Sequence, residues 1–220
     1  MPASPKPKVR LHYLPPSHYN EKARKILQYK GIAHEVVEVP YGDHSALLKA
    51  TGQDYTPYIE LPGARRGVPW NEVADWAEKT QPRPTLYPGP APAMMRAGCR
   101  VFEHWAHNVV EEAVWRYVVT DVPRVLKDDG ARWRFVEFQE RKRGPMESLL
   151  IQKPLFLAGM KDVLVLAEEH AGFGDFLTGN EPSLADFALY GALHPLKFTG
   201  QGIPRDFPKL REWHARVHKL

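Results

Sequence analysis

In "YTPYIELPGARRGVPWNE" (Tyr55–Glu72), two short apolar runs flank a Pro62-Gly63 turn, and a helix opens directly afterwards. "PYIEL" and the segment around "RRGVP" therefore read as the two strands of a hairpin, with Pro-Gly supplying the reversal. "NEVADWAEKT" (Asn71–Thr80) follows as a helix with Val73, Trp76 and Ala77 on its apolar side. Upstream, "AHEVVEV" (Ala33–Val39) is a strand ended by Pro40. "DHSALLKATG" is a short helix opened by Asp43 and closed by Gly52. "KVRLHYL" (Lys8–Leu14) alternates Val9, Leu11 and Tyr13 with Arg10 and His12, which is a strand pattern. "NEKARKILQYKG" (Asn20–Gly31) is a helix with Asn20 as N-cap, Ala23, Ile26 and Leu27 on one face, and Gly31 as its stop.

Residues 8–80 thus run β-α-β-α-β-β-α. The first crossover is a right-handed parallel unit by default and the last two strands form a hairpin, an order that matches the thioredoxin-like layout. "TQPRPTLYPGPAPA" (Thr80–Ala93) places five prolines in 14 residues, a stiff extended connection. Beyond it the chain reads helical: from about Ala93 to Thr120, Asp129 to Arg143, Leu155 to His170, then "SLADFALYGALHPL" and "PKLREWHARVHKL". The expected organisation is an α/β domain over 1–80, a Pro-rich linker over 81–92 and an all-α domain of about five helices over 93–220.

The 220 residues carry 30 Lys and Arg against 26 Asp and Glu, a formal charge of +4. No run of five basic residues occurs, and "ERKRG" (Glu140–Gly144) reads as an exposed helix face, so no nucleic-acid footprint is present. Cys99 is the only cysteine, which rules out an intrachain disulfide and fits a reducing compartment. It is read as a small buried residue rather than a nucleophile. "MPASPKPKVRLHYL" has no apolar signal core, and no stretch reaches about 18 apolar residues, so a soluble, cytoplasmic protein without a membrane partner is expected.

Four segments carry a family resemblance. "SHYNEKAR" (Ser17–Arg24) is similar to a Ser/Cys-x-x-x-x-Lys-x-Arg turn and first helix. "TPYI" (Thr56–Ile59) is similar to Val-Pro-x-Leu, "LYPG" (Leu86–Gly89) to the Leu-Tyr-Pro that leads into a helical half, and "FLTGNEPSLADFALYGAL" (Phe176–Leu193) to Phe-Leu…Gly…Ser-x-Ala-Asp. In this order they make the chain resemble the glutathione S-transferase superfamily over essentially its whole length. The last segment also has its own physics: Ser183 and Asp186 stand at capping-box spacing, with Asp in place of the usual Glu or Gln, which makes their role folding rather than catalysis.

The resemblance implies a two-domain enzyme that binds glutathione and lowers its thiol pKa, because the thiolate is the nucleophile. A donor to sulfur plus a helix N-terminus can move a thiol by about two units, worth roughly 3 kcal/mol. The turn "PPSHYN" offers Ser17 first, then Tyr19, then His18 or Asn20; turn-making and capping are the structural roles open to Ser17 and Asn20. Thr56 and Pro57 are expected to clamp the ligand backbone through a cis bond. The family's acid-Ser pair, which holds the γ-glutamyl end, falls here on Pro69-Trp70, with Asn71 or Glu72 one or two residues away. Neither Pro69 nor Trp70 replaces a carboxylate or a hydroxyl, at a cost of about 3 kcal/mol or more in affinity.

On the long helix, His104, His107 and Glu111 stand at i, i+3 and i+7, a spacing a metal could use, but no fourth ligand at a diagnostic spacing accompanies them and no metal is expected. The resemblance implies that this face lines the groove for a hydrophobic electrophile; its aromatic residues are Phe102, Trp105, Trp115 and Tyr117, some of them core, with Trp105 the first candidate for the wall and Phe102 beside it. Trp133, Phe135 and Phe138 are read as packing. The resemblance also implies a homodimer, with "ARRG" (Ala64–Gly67) a candidate contact. The leading reading is glutathione conjugation, isomerisation or ring opening, of the kind used in detoxification. The alternative is a binding or dimerisation protein with weak or no glutathione affinity.

Overall fold

A computed structural model describes residues 9–220; Lys8 and the N-terminal segment before it lie outside the described residues. The N-terminal half contains β1 (Val9–Tyr13), α1 (His18–Tyr29), β2 (His34–Glu38), α2 (Ser45–Thr51), β3 (Tyr58–Glu60), β4 (Val68–Pro69) and α3 (Val73–Thr80). The order is the expected one. The sheet runs β2-β1-β3-β4, with β2 parallel to β1 and the other pairs antiparallel. Leu11, Ile59 and Val68 from the sheet pack on Ala23, Leu27 and Val73 from α1 and α3. His12 departs from the expected outward-facing pattern. It is buried, and its ring nitrogen Nε2 lies 2.9 Å from Glu60 Oε2 on β3.

The C-terminal half contains α4 (Pro92–Trp105), α5 (Glu111–Val118), α6 (Val122–Val125), α7 (Asp129–Arg143), α8 (Met146–Ile151), α9 (Lys153–His170), α10 (Leu184–Phe198) and α11 (Pro208–His218). Short α6 and α8 join the five helices that the periodicity predicts. The long helix is also not uniform: Ala106–Val110 forms a π-helical turn between α4 and α5. One extra residue in such a turn rotates everything after it relative to an unbroken helix.

Glu78 fixes the Pro-rich connection to the first half. Its carboxylate accepts from the Leu86 amide at 3.0 Å, from Thr85 Oγ1 at 2.5 Å and from Lys30 Nζ at 2.7 Å. The Lys30 side chain is 0% exposed, so its charge is tolerated only because Glu78 and the Pro84 carbonyl satisfy it. Across the two halves, Lys22 on α1 pairs with Glu103 on α4 at 2.7 Å, both side chains being almost fully buried.

α10 is the central strut, and Ser183 and Asp186 form its capping box as expected. It lies hard against α1 at Gly191. A Cβ there would sit 2.6 Å from the His18 carbonyl oxygen and 3.0 Å from Lys22 Cβ. Alanine in a helix interior is normally better than glycine by about 1 kcal/mol. Here the sign reverses, because the contact is with backbone that cannot yield. Gly191→Ala is expected to destabilise the protein by about 1–3 kcal/mol in chemical denaturation; a stabilised variant would contradict the close approach.

Candidate active site

The turn between β1 and α1 is built by local hydrogen bonds. The Ser17 amide donates to the Leu14 carbonyl at 3.0 Å, and Ser17 rather than Asn20 is the N-cap residue of α1. Its hydroxyl makes no capping bond, so it is free for another partner. Asn20 is inside the first turn and fully buried. Its side-chain carbonyl accepts from the Leu14 amide and its NH2 donates to Thr56 Oγ1, each at 3.0 Å. The expectation that Asn20 caps the helix is thereby corrected. Its amide instead ties the turn that carries Ser17 to the start of β3.

Thr56-Pro57 is cis, as the resemblance implies. Beyond β4, Pro69 is buried in the sheet opposite Tyr58, while Trp70 and Asn71 occupy the turn that enters α3. Trp70 is 41% exposed, and its ring lies 4.9 Å from that of Tyr19. Glu72 is drawn off to the exposed Arg66 at 2.7 Å.

Between the two halves a cleft of about 340 Å³ opens over Ser17, His18 and Tyr19, with His107, Trp115 and Arg143 on its helical side. That volume falls within the range of small-molecule sites. Tyr19 stands at the junction, its ring 4.7 Å from His107 and 3.8 Å from His18. Burial, and then the charges of Glu111 and Glu103, raise the Tyr19 pKa, which keeps the phenol protonated and able to donate. His18 Nδ1 lies 3.2 Å from Glu111 Oε1, while His18 Nε2 and His107 Nε2 are buried without a partner. Glu112 closes the rim, taking two hydrogen bonds from Arg143 at 2.6 and 2.9 Å.

Burial, followed by the nearby charges of Lys22, His18 and His104, pushes His107 down to about 2. A histidine whose folded pKa is depressed contributes stability above its unfolded value of about 6.5, and that contribution is lost as pH falls from there. The melting temperature is therefore expected to drop between pH 7 and pH 5. His107→Phe should flatten that drop, retaining about 1–2 kcal/mol at the lower pH. Equal pH profiles for the two proteins would remove His107 from the account.

Of the expected groove residues, Phe102 and Trp105 lie outside the cleft over Ser17. Trp105 and Phe102 meet edge-on at 5.1 Å, and Phe102 continues onto His170 at 5.7 Å. Neither lines the cleft, whose aromatic residues are Tyr19 and Tyr41 from the first half and Trp115 from the helical half. His104 is hydrogen-bonded to Asn108, and Glu111 faces His18. No group of three or more metal-ligating side chains occurs among the described residues. Trp115, another of the aromatic candidates on the long helix, does line the cleft, while the pairing of Glu111 with His18 is a part of it that sequence reasoning passed over. Glu111 and Trp115 both stand beyond the π turn.

A model of the glutathione S-transferase N-terminal domain matches residues 11–75, and one of the C-terminal domain matches residues 138–216, together more than half of the chain. The chain belongs to the glutathione S-transferase superfamily. The N-terminal match of this glutathione S-transferase family member includes the Ser17 turn, Thr56-Pro57 and Trp70. GSTFuA3 from Phanerochaete chrysosporium is similar at 19% identity over 96% of each chain, with a TM-score of 0.79. A glutathione S-transferase of Ceriporiopsis subvermispora, solved in complex with glutathione, is similar at 16% identity over 97% of each chain, with a TM-score of 0.76. FzlA from C. crescentus is similar at 19% identity over 97% of this chain and 89% of its own, with a TM-score of 0.72. At these identities the likeness carries the fold alone. Comparison with curated proteins gives no significant match. No helix of this family member, among the described residues, is long and apolar enough to cross a membrane.

Proposed function

We propose that this protein is a glutathione transferase in which Ser17 holds the thiolate for attack on a small hydrophobic electrophile, or for isomerisation or ring opening of one. The observation that carries the reading is the Ser17 hydroxyl. It sits at the N-cap of a 12-residue helix, makes no capping bond, and lines the cleft between the halves. A helix N-terminus favours negative charge, and a hydroxyl donor adds a charge-assisted bond to sulfur. Tyr19 is the second donor within the same cleft. Thr56 and Pro57 clamp the peptide backbone, with Asn20 positioning Thr56. Trp70 and Asn71 take the γ-glutamyl end at the α3 entry, His18 borders the thiol, and the electrophile lies against Trp115.

The protein acts in the cytoplasm as a homodimer in this reading. The lone buried Cys99 supports a reducing compartment, and the exposed Met94, Val101 and Val109 supply an apolar stripe for a second copy. Calorimetric titration with glutathione tests the core of the proposal. Saturable heat up to the millimolar range is expected; its absence would leave the fold as a binding module for something else.

A further inference from the structure

The turn that carries Ser17 is short of donors. Pro15 and Pro16 have no N–H. Between the Leu14 amide, which donates to Asn20, and the Ser17 amide, which donates to the Leu14 carbonyl, the backbone can only accept. The Pro15 carbonyl finds its donor in the other half of the molecule. His194 on α10 places Nε2 2.7 Å from that oxygen. Among the described residues, this is the one hydrogen bond that ties residues 14–17 to the helical half.

A carbonyl only accepts, so the ring proton is on Nε2 and Nδ1 is bare; Nδ1 is buried without a partner. Burial lowers the His194 pKa against the raising effects of the Glu21 charge and the Pro15 carbonyl, and Arg24 and Lys197 add to the lowering, so the ring is neutral at neutral pH. Three residues earlier, Gly191 is where α10 meets the His18 carbonyl. α10 therefore holds the chain on both sides of Ser17, at Pro15 and at His18. His194 does not line the cleft over Ser17, so any influence it has on the chemistry passes through the turn.

We propose that His194 is a positioning residue for the thiol chemistry: by holding the Pro15 carbonyl it fixes the peptide plane two residues before Ser17, and so the aim of the Ser17 hydroxyl at sulfur. The inference rests on the reading of Ser17 as the thiolate donor. Misplacing a reacting group by about 1 Å can cost about a hundredfold in rate. The Ser17 amide keeps its bond to Leu14 when His194 is changed, so the turn pivots by less than that and the loss is smaller.

The test compares His194→Phe and His194→Gln with Ser17→Ala in the full chain. It reads kcat/KM for conjugation of a chlorodinitrobenzene, and the ultraviolet absorbance of bound glutathione thiolate as a function of pH. His194→Phe is expected to lower kcat/KM by about 3–10-fold and to raise the thiol pKa by about half a unit or more. His194→Gln, whose amide N–H can stand where Nε2 does, should recover most of both. Adding His194→Phe to Ser17→Ala should cost nothing further, since an absent hydroxyl cannot be misaimed. Melting curves check the fold, and His194→Asn, too short to reach Pro15, takes the place of His194→Phe if that variant does not fold. An unchanged rate and thiol pKa in the variants that lose the contact would overturn the assignment while leaving Ser17 as the donor. So would losses that multiply with those of Ser17→Ala, or a His194→Gln variant as impaired as His194→Phe. A silent Ser17→Ala, or no thiolate signal with the unaltered protein, would instead remove the donor reading and this inference together.

Discussion

Asp186→Ala is expected to destabilise the protein by about 3–5 kcal/mol, enough to remove a large part of the stability of a typical domain. The carboxylate is 0% exposed and serves four donors. Oδ2 accepts from the amide and the hydroxyl of Ser183, each at 2.9 Å, while Oδ1 accepts from the Leu177 amide at 2.9 Å and from Trp213 Nε1 at 2.7 Å. One side chain thus starts α10, anchors the segment before it and fixes α11 through Trp213. Removing it strands four buried donors, and each costs its own desolvation. Burial raises the Asp186 pKa even against those donors. Asp186→Asn should be the milder variant, because one carbonyl oxygen still serves one pair of donors. Chemical denaturation measures both, and a loss below about 1 kcal/mol for Asp186→Ala would contradict this account.

Ser17→Ala is expected to lower kcat/KM for conjugation of a chlorodinitrobenzene by about 10–100-fold at neutral pH, and to move the pH profile upward. A hydrogen bond to a charged sulfur is worth about 1.5–3 kcal/mol, which sets that range. The stability effect should be only a few tenths of a kcal/mol, well below the roughly 1 kcal/mol of an ordinary serine cap, since the hydroxyl makes no capping bond. Small stability loss with large activity loss would separate a thiolate donor from a structural serine. If Ser17→Ala is silent and Tyr19→Phe carries the loss, the donor is the phenol instead.

Elements set by local chemistry were legible in the sequence. The Pro62-Gly63 turn, the glycines ending α1 and α2, and the Ser183-Asp186 capping box act within a few residues, and each stands where the pattern placed it. Groups whose partners are distant in sequence were misread. Asn20 has the composition of a cap, yet its amide partner Thr56 is 36 residues away. His12 alternates like a solvent-facing residue, but the carboxylate that satisfies it belongs to β3. Trp105 was placed first among the aromatic residues of the long helix, whereas Trp115, named after it, is the one that lines the cleft. A π turn at Ala106–Val110 lies between the two. No residue type marks such a turn in advance.

The hydrophobic interior does not respect the Pro-rich connection. Ile26 from α1 and Ala74 and Ala77 from α3 sit in the same buried cluster as Val110, Leu164, Leu189 and Trp213, whereas the sheet-side cluster holds only six buried residues. Excised by itself, the stretch up to Thr80 would open Ile26, Ala74 and Ala77 to water and leave Lys22 without its carboxylate. The chain is modular in its topology and indivisible in its energetics, so any split-protein or truncation strategy that cuts at the prolines would sever a shared centre.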